Sequence, residues 1–426
     1  MTFVETSFIR PKSYSLINNK NNDLKLIIQG QGVFLFENPV NNCCCMFNVY
    51  DYKKQNGLRI ELNETSVKIN RLPEFIPLID ENNNQGLSDK KGAYYWLSVD
   101  SQNQRLYVGL GEARIENAIY EYIFSFNNDE ERKNIKSFLE SLVTICFSEN
   151  NVFPLQLLRD PIIKKIPLLI KNTQQLRMNH IANYKYLPSS HLSSTAQQLY
   201  YSISGKKFIL DDKDFPHFSK AIEYSIATPG MWCYERLKAK STEFDKDKPN
   251  ILETYLRITL NQNNGESPGI PYVMEIWPVG HFSPIHNHGN AHAIIRVLHG
   301  KINVKLFPFL CDEPDTVDPF SEVQFVKNDI TWISPTLNQV HQLTNLKTNK
   351  NTCVTIQCYM YDEKDKVHYD YFDYLDSKEQ KQQYEPDSDM DFIQFKETMK
   401  QEWENRPKVI NIINKKISLF FGQSKK

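Results

Sequence analysis

The chain has 426 residues, more than one small domain needs and a natural length for two or three. With 50 basic against 51 acidic residues, the formal charge of −1 argues against a nucleic-acid binder, which would show a basic face. No run approaches the ~20 apolar residues of a membrane span. The start, MTFVETSFIRPKSYS, lacks the apolar centre of a signal peptide, so a cytoplasmic protein is expected.

Residues 1 to about 125 read as short strands: Leu24–Phe36, Cys44–Tyr50, Leu58–Ile69, Ala93–Val99, Gln104–Leu110 and Ala118–Phe126. Asn-rich turns separate them, and Asp100–Asn103 closes the clearest hairpin. Such a series predicts a β-sandwich. Trp96 and Tyr107 offer faces on which a carbohydrate or a protein segment can stack, although core packing accounts for the same residues. From Asp129 to about Thr144 the period changes to that of a helix, with Ile135, Phe138, Leu139 and Leu142 on one face.

A Ser-rich stretch before Gly205 suggests a boundary near residue 200. Residues 213–240 read as helical. Strands resume at Leu252–Leu260 and continue through Tyr272–Trp277, Ala293–Leu298, Ile302–Phe307, Glu322–Phe325, Thr331–Ile333, Gln339–Leu343 and Val354–Tyr361, enough for a closed double-sheet barrel. The expected division is therefore 1–200, a β-rich accessory domain with a helical end; 201–378, a barrel; and 379–426, a charged tail. That tail carries an amphipathic helix with Phe392, Phe395, Met399 and Trp403, followed after Pro407 by Val409, Ile410, Ile413 and Ile417. The fold class is mostly β. The eight cysteines form no Cys-x-x-Cys pair and read as ordinary thiols of a reducing compartment.

The chemistry concentrates between Gly280 and Gly300. His286 and His288 stand two residues apart, and on an extended chain positions i and i+2 face the same way. Imidazole is a natural ligand for iron, zinc, copper or nickel. A glycine six residues before the pair and another twelve after it close the segment.

This spacing resembles the first cupin motif, whose glutamate ligand falls here at Ala293. A cupin with the histidines and without the glutamate resembles the three-histidine thiol dioxygenases. The second cupin motif supplies a third histidine at His341, with Asn345 four residues on; the family's glycine before it is missing. Around this frame, residues of about 215–365 are similar to cysteine dioxygenase type I. Tyr255-Leu256-Arg257 matches the strand whose arginine grips a substrate carboxylate. Pro229, Trp232, Trp277, Ser283, Ile285 and His292 also match, and Tyr359 falls where the family has its phenol. Gln357 replaces the histidine that orients that phenol. Ala293 replaces the cysteine to which many animal members cross-link it.

The resemblance implies a cupin double-stranded β-helix preceded by helices. It also implies Fe(II) held by His286, His288 and His341, with Arg257 and Tyr255 on the substrate and Tyr359 donating a hydrogen bond to the bound species. Gln357, His292 and Trp277 would stand behind them. The expected reaction adds O2 to the sulfur of a small thiol acid, L-cysteine first, with 3-mercaptopropionate or mercaptosuccinate as alternatives. A non-catalytic metal-binding cupin, acting as a binding or sensory module, is the rival from another class. An oxidase of N-terminal cysteines should not need Arg257.

Overall fold

A computed structural model describes residues 14–16, 23–37, 44–81, 93–147, 153–164, 166–261, 272–311, 318–337, 340–361 and 371–407. The chain is mostly β, as the alternation of apolar and polar residues predicts.

The first half builds two six-stranded antiparallel sheets. One runs Tyr14–Leu16, Phe153–Leu158, Gln31–Glu37, Tyr94–Asp100, Arg105–Leu110, Ala118–Ile123. The other runs Asp23–Lys25, Leu142–Phe147, Cys44–Asp51, Gly57–Asn63, Val67–Leu72, Ile76–Glu81. Phe34, Phe36, Tyr95 and Leu97 from one sheet meet Phe47, Leu58 and Ile60 from the other in a single core. This is the expected sandwich. The hairpin turn forms as read, with the Asp100 carboxylate accepting from the Asn103 backbone and side chain.

Trp96 and Tyr107 do not offer stacking faces to a ligand. They are 0% and 3% exposed, and pack with Val33 and Ile162 on the covered outer side of their sheet. The helix Asp129–Ser141 stops before the expected Thr144. Val143, Thr144 and Ile145, β-branched residues, continue instead as a strand against Cys44–Asp51.

The second half places a six-stranded sheet opposite a three-stranded one. The large sheet runs Ile330–Ile333, His292–His299, Cys353–Met360, Tyr272–Trp277, Leu256–Asn261, Met390–Asp391. The small one runs Ser321–Val326, Lys301–Phe307, Val340–Thr344. The closed barrel expected from the strand count is not formed. Strand Leu256–Asn261 takes the short Met390–Asp391 strand as its parallel outer neighbour, so that edge does not join the small sheet.

The period of two decides what each face of the large sheet does. Leu256, Ile258, Met274, Ile276, Ile294, Val354, Ile356 and Cys358 face helices Ser194–Ile203, Phe218–Ala227, Trp232–Ala239 and Phe392–Asn405 and form a second core. The residues between them, Arg257, Glu275, Trp277, Ile295, Val297, Thr355 and Gln357, line a cavity against the small sheet. Helix Phe392–Asn405 has the predicted apolar face: Phe395 and Met399 are fully buried, and Phe395 meets the rings of Trp232 and Phe218. The Val409–Ile417 stretch lies outside the described residues. Among the described residues, no helix is long and apolar enough to cross a membrane.

Candidate metal centre and its cavity

The His-x-His segment is not the regular strand that the sequence suggests. His286 forms isolated bridges to His341 and to Tyr374, so the segment is clamped between the small sheet and the hairpin of Phe372–Leu375 and Lys381–Tyr384. His286 N donates to His341 O at 3.0 Å, and His341 N donates back to His286 O at 2.9 Å. Asn287, between the two histidines, donates its backbone N–H to Asp373 O at 3.0 Å. Gly280 and Gly300 close the ends at φ +86° and +68°, and a Cβ at Gly300 would run into the Thr352 carbonyl.

This clamp brings ring nitrogens of His286, His288 and His341 within 4.8 Å of one another. Their ring centroids are 5.1, 4.5 and 4.9 Å apart, and all three residues are at most 9% exposed. The Nδ1 of His286 lies 2.9 Å from Pro284 O, so that nitrogen donates and Nε2 keeps its lone pair for a ligand. Burial pushes His286 down to about 4. Burial, then the neighbouring His341 and His286, hold His288 well below the usual imidazole range. Neutral imidazoles clustered around one point suit a divalent transition metal. Ala293 lies on strand His292–His299 directly across from Tyr359 and supplies no ligand.

The cavity beyond the histidines measures about 960 Å³ including its open mouth. Arg257 and Glu275 are cross-strand partners on its wall, with the guanidinium 3.6 Å from the carboxylate. Tyr255 also lines it, stacked on Trp277 with centroids 4.3 Å apart. Gln357 donates from Nε2 to Glu275 and to Thr355 Oγ1, and its carbonyl accepts the hydroxyl of Tyr359. The Tyr359 ring lies beside His288, centroids 5.9 Å apart. The Tyr359 hydroxyl donates to the Gln357 carbonyl, whose amide N–H groups meet Glu275 and Thr355, and Arg257 also hydrogen-bonds to Tyr359. His292, 2% exposed, lies outside the cavity lining.

Pattern reading thus brought together His286, His288, His341, Arg257, Tyr255, Trp277, Gln357 and Tyr359. It missed Glu275 and the hairpin residues Phe372 and Tyr384. Glu275 had a legible signal, a single acid inside the apolar strand YVMEIW. The hairpin had none, because its contact with His286 spans a long stretch of chain.

The first sandwich braces this centre. Lys136 pairs with Asp373 at 2.7 Å, and Arg132 donates to the Tyr371 hydroxyl at 2.9 Å. Arg105 donates to the carbonyls of Pro335 and Thr336, in the turn that leads to His341.

Two facing sheets around an inward group of three histidines have the cupin arrangement, with no carboxylate in the histidine group. Residues 233–370 match the family model of cysteine dioxygenase type I, a metal-dependent family that accords with the histidine group. Among solved structures, the chain is similar to the cupin domain of Schizosaccharomyces pombe Cnp3 at 14% identity, covering 25% of this chain and 65% of that one, TM-score 0.20. It is similar to a cupin superfamily protein of Desulfitobacterium hafniense at 12% identity, covering 26% and 79%, TM-score 0.19. A cupin 2 domain-containing protein of Halorhodospira halophila matches at 18% identity, covering 29% and 70%, TM-score 0.20.

Proposed function

We propose that the protein is a thiol dioxygenase that converts a small thiol acid, L-cysteine in the first instance, and O2 into the sulfinic acid, both oxygen atoms ending on sulfur. The observation that carries this reading is the joint placement of three imidazoles and one guanidinium in a single cavity. His286, His288 and His341 are the residues that would hold Fe(II). When bound, that ion supplies the one-electron chemistry by which O2 reacts with a thiolate.

The chain's own groups do the rest. Arg257, 13% exposed at its side chain, presents a permanently charged fork to a carboxylate and so orients the substrate. Tyr255 and Trp277 form an aromatic wall that keeps water from the substrate's methylene groups. Gln357, fixed by Glu275 and Thr355, accepts the Tyr359 hydroxyl and so holds that ring beside Arg257. The apolar side chains of Ile302, Val304 and Phe325 on the small sheet exclude water from the opposite side.

The test is O2 consumption by the Fe(II)-loaded chain with cysteine, 3-mercaptopropionate and cysteamine offered separately. Uptake is expected with the carboxylate-bearing thiols, and Arg257→Ala should cut kcat/KM roughly 10- to 100-fold, the worth of a charge-assisted hydrogen bond. Equal uptake with cysteamine would remove the arginine from recognition. No uptake with any thiol, despite bound iron, would leave a binding module and refute the enzyme.

A further inference from the structure

Charge is spread unevenly along a chain whose acids and bases balance overall. Between Asp160 and Asp211 stand seven Lys or Arg and no Asp or Glu. Inside this stretch, strand Leu169–Lys171 pairs in parallel with strand Tyr186–Pro188, and parallel neighbours need a crossover between them. The base of that crossover is fixed. Leu169 and Ile170 are buried, and Thr173 N donates to the Oγ of the buried Ser189 at 3.2 Å. Beyond its base the crossover stands out from the surface: residues 177–185 are all exposed except His180, which is half-buried.

Two features of this projection call for a ligand. The first is a pair of donors with no acceptor between them. The backbone N–H of Arg177 donates to His180 Nδ1 at 3.1 Å, so the neutral ring carries its proton on Nε2. That Nε2 lies 3.5 Å from Lys171 Nζ, which has only protons to offer. Burial, then Lys171 and Arg177, hold His180 below the usual imidazole range. Arg177 lines the same pocket, and among the described residues Lys171, Arg177 and Lys185 form no ion pair. Asp329, which Lys171 and Lys185 influence, is half-buried and already accepts from Val326 N at 2.9 Å. An anionic oxygen is the group that satisfies such a pocket.

The second feature is apolar. Met178 and Ile181 stand three residues apart on helix Met178–Ala182, hence on one side of it, and are 87% and 64% exposed. Arg177 and His180 form the adjacent row, and Tyr184 follows at 67% exposed. An apolar tip flanked by cations, with an aromatic ring beside it, complements an anionic bilayer, which offers phosphate oxygens above and acyl chains below. A soluble anion or a nucleic acid would leave Met178 and Ile181 in water.

We propose that the crossover of residues 172–185 docks this protein on a membrane surface containing anionic phospholipid. A headgroup phosphate sits between Lys171 and His180, and Met178 and Ile181 enter the acyl boundary. The contact is peripheral. It is independent of the thiol dioxygenase reading, because no residue of the crossover lines the histidine cavity.

The experiment is flotation of the full chain with two kinds of vesicle, phosphatidylcholine alone and phosphatidylcholine with about one-third phosphatidylserine. Binding is expected on the anionic vesicles only, and should weaken as salt is added. Lys171→Ala combined with Arg177→Ala should weaken it roughly 25-fold, each cation near such a surface contributing roughly five-fold. Met178→Ser combined with Ile181→Ser leaves the charge unchanged and should weaken it roughly 10-fold or more. Absence of wild-type binding to anionic vesicles, equal binding to both kinds, or an apolar variant that binds like wild type overturns the proposal. Calorimetry with inorganic phosphate and with a single-stranded RNA oligomer separates the other sources of phosphate. Binding of either without vesicle binding assigns the pocket to a free anion or to nucleic acid and overturns the membrane. Thermal unfolding shows whether each variant is folded; if one is not, the wild-type comparison of the two vesicles decides.

Discussion

The two halves of the chain are both pairs of facing β-sheets, and they treat their interiors in opposite ways. In the first, the inward positions carry rings that fill the gap: Phe34, Phe36 and Phe47 lie with centroids 5.3 to 5.5 Å apart, leaving an apolar core. In the second, the equivalent space holds three histidines, an arginine, a glutamate and an open cavity. The second half tolerates this because its large sheet has another face. Helices covering that face bury Ile258, Ile276, Ile356, Phe395 and Met399, so hydrophobic stabilisation is supplied behind the sheet and chemistry in front of it. Behind the first sandwich's sheet the described residues bury only the small Val33, Trp96, Tyr107 and Ile162 cluster, so its main core is the filled gap between the sheets.

This contrast can be broken at several points. The largest expected effect is His341→Ala, which removes one of the three clustered imidazoles and, on the proposed function, should abolish retention of Fe(II) through desalting, read by metal analysis. Retention of a full equivalent would dissolve the distinction between a packed and a metal-binding interior. Next is Phe36→Ala in the first sandwich, expected to cost about 3–5 kcal/mol in denaturant unfolding while leaving the metal content of the folded protein unchanged. A loss of metal affinity in step with that destabilisation would show that the two interiors do not act separately.

The smallest is Lys136→Ala, at the contact between the halves. Burial raises the Asp373 carboxyl, but Lys136 and its hydrogen bond outweigh it and hold the group below the usual carboxylate range. A folded-state value below the unfolded one means that the pair's stability is fully present above the ordinary carboxylate pKa and is lost as pH falls through the lowered folded value. The substitution should cost no more than about 1 kcal/mol at neutral pH, and the cost should shrink on acidification. Thermal unfolding from neutral to acid pH checks both. A cost that grows on acidification would remove Asp373 as the partner that matters.

Much of the site was legible in the amino-acid sequence. His286-x-His288 and His341 stood out because ligand chemistry restricts the residue types. Arg257 stood out because its Tyr-x-Arg strand resembles one in a known family. Arg257, Glu275, Thr355 and Gln357 fall on one face by the period of two alone, once their strands are recognised. The helix over Phe392–Asn405 was legible from Phe395 and Met399 at the spacing of a helix face. Glu275 showed only as an acid out of place in an apolar strand. Its meaning came from the pairing of two strands, which puts it directly across from Arg257.

The sequence alone determined the mostly β composition, the three histidines that cluster, the arginine and the apolar faces, since these depend on residue type and local period. Tertiary structure decided what depends on register and long-range contact. Gln357, held by Glu275, accepts the Tyr359 hydroxyl. Met390–Asp391 occupies the sheet edge that a closed barrel would have used. Lys136 reaches across to Asp373, and the backbone of Asp373 holds Asn287 between two histidines. Side-chain period is a property of a few consecutive residues. Which strands meet, and in what register, is settled only when the whole core packs.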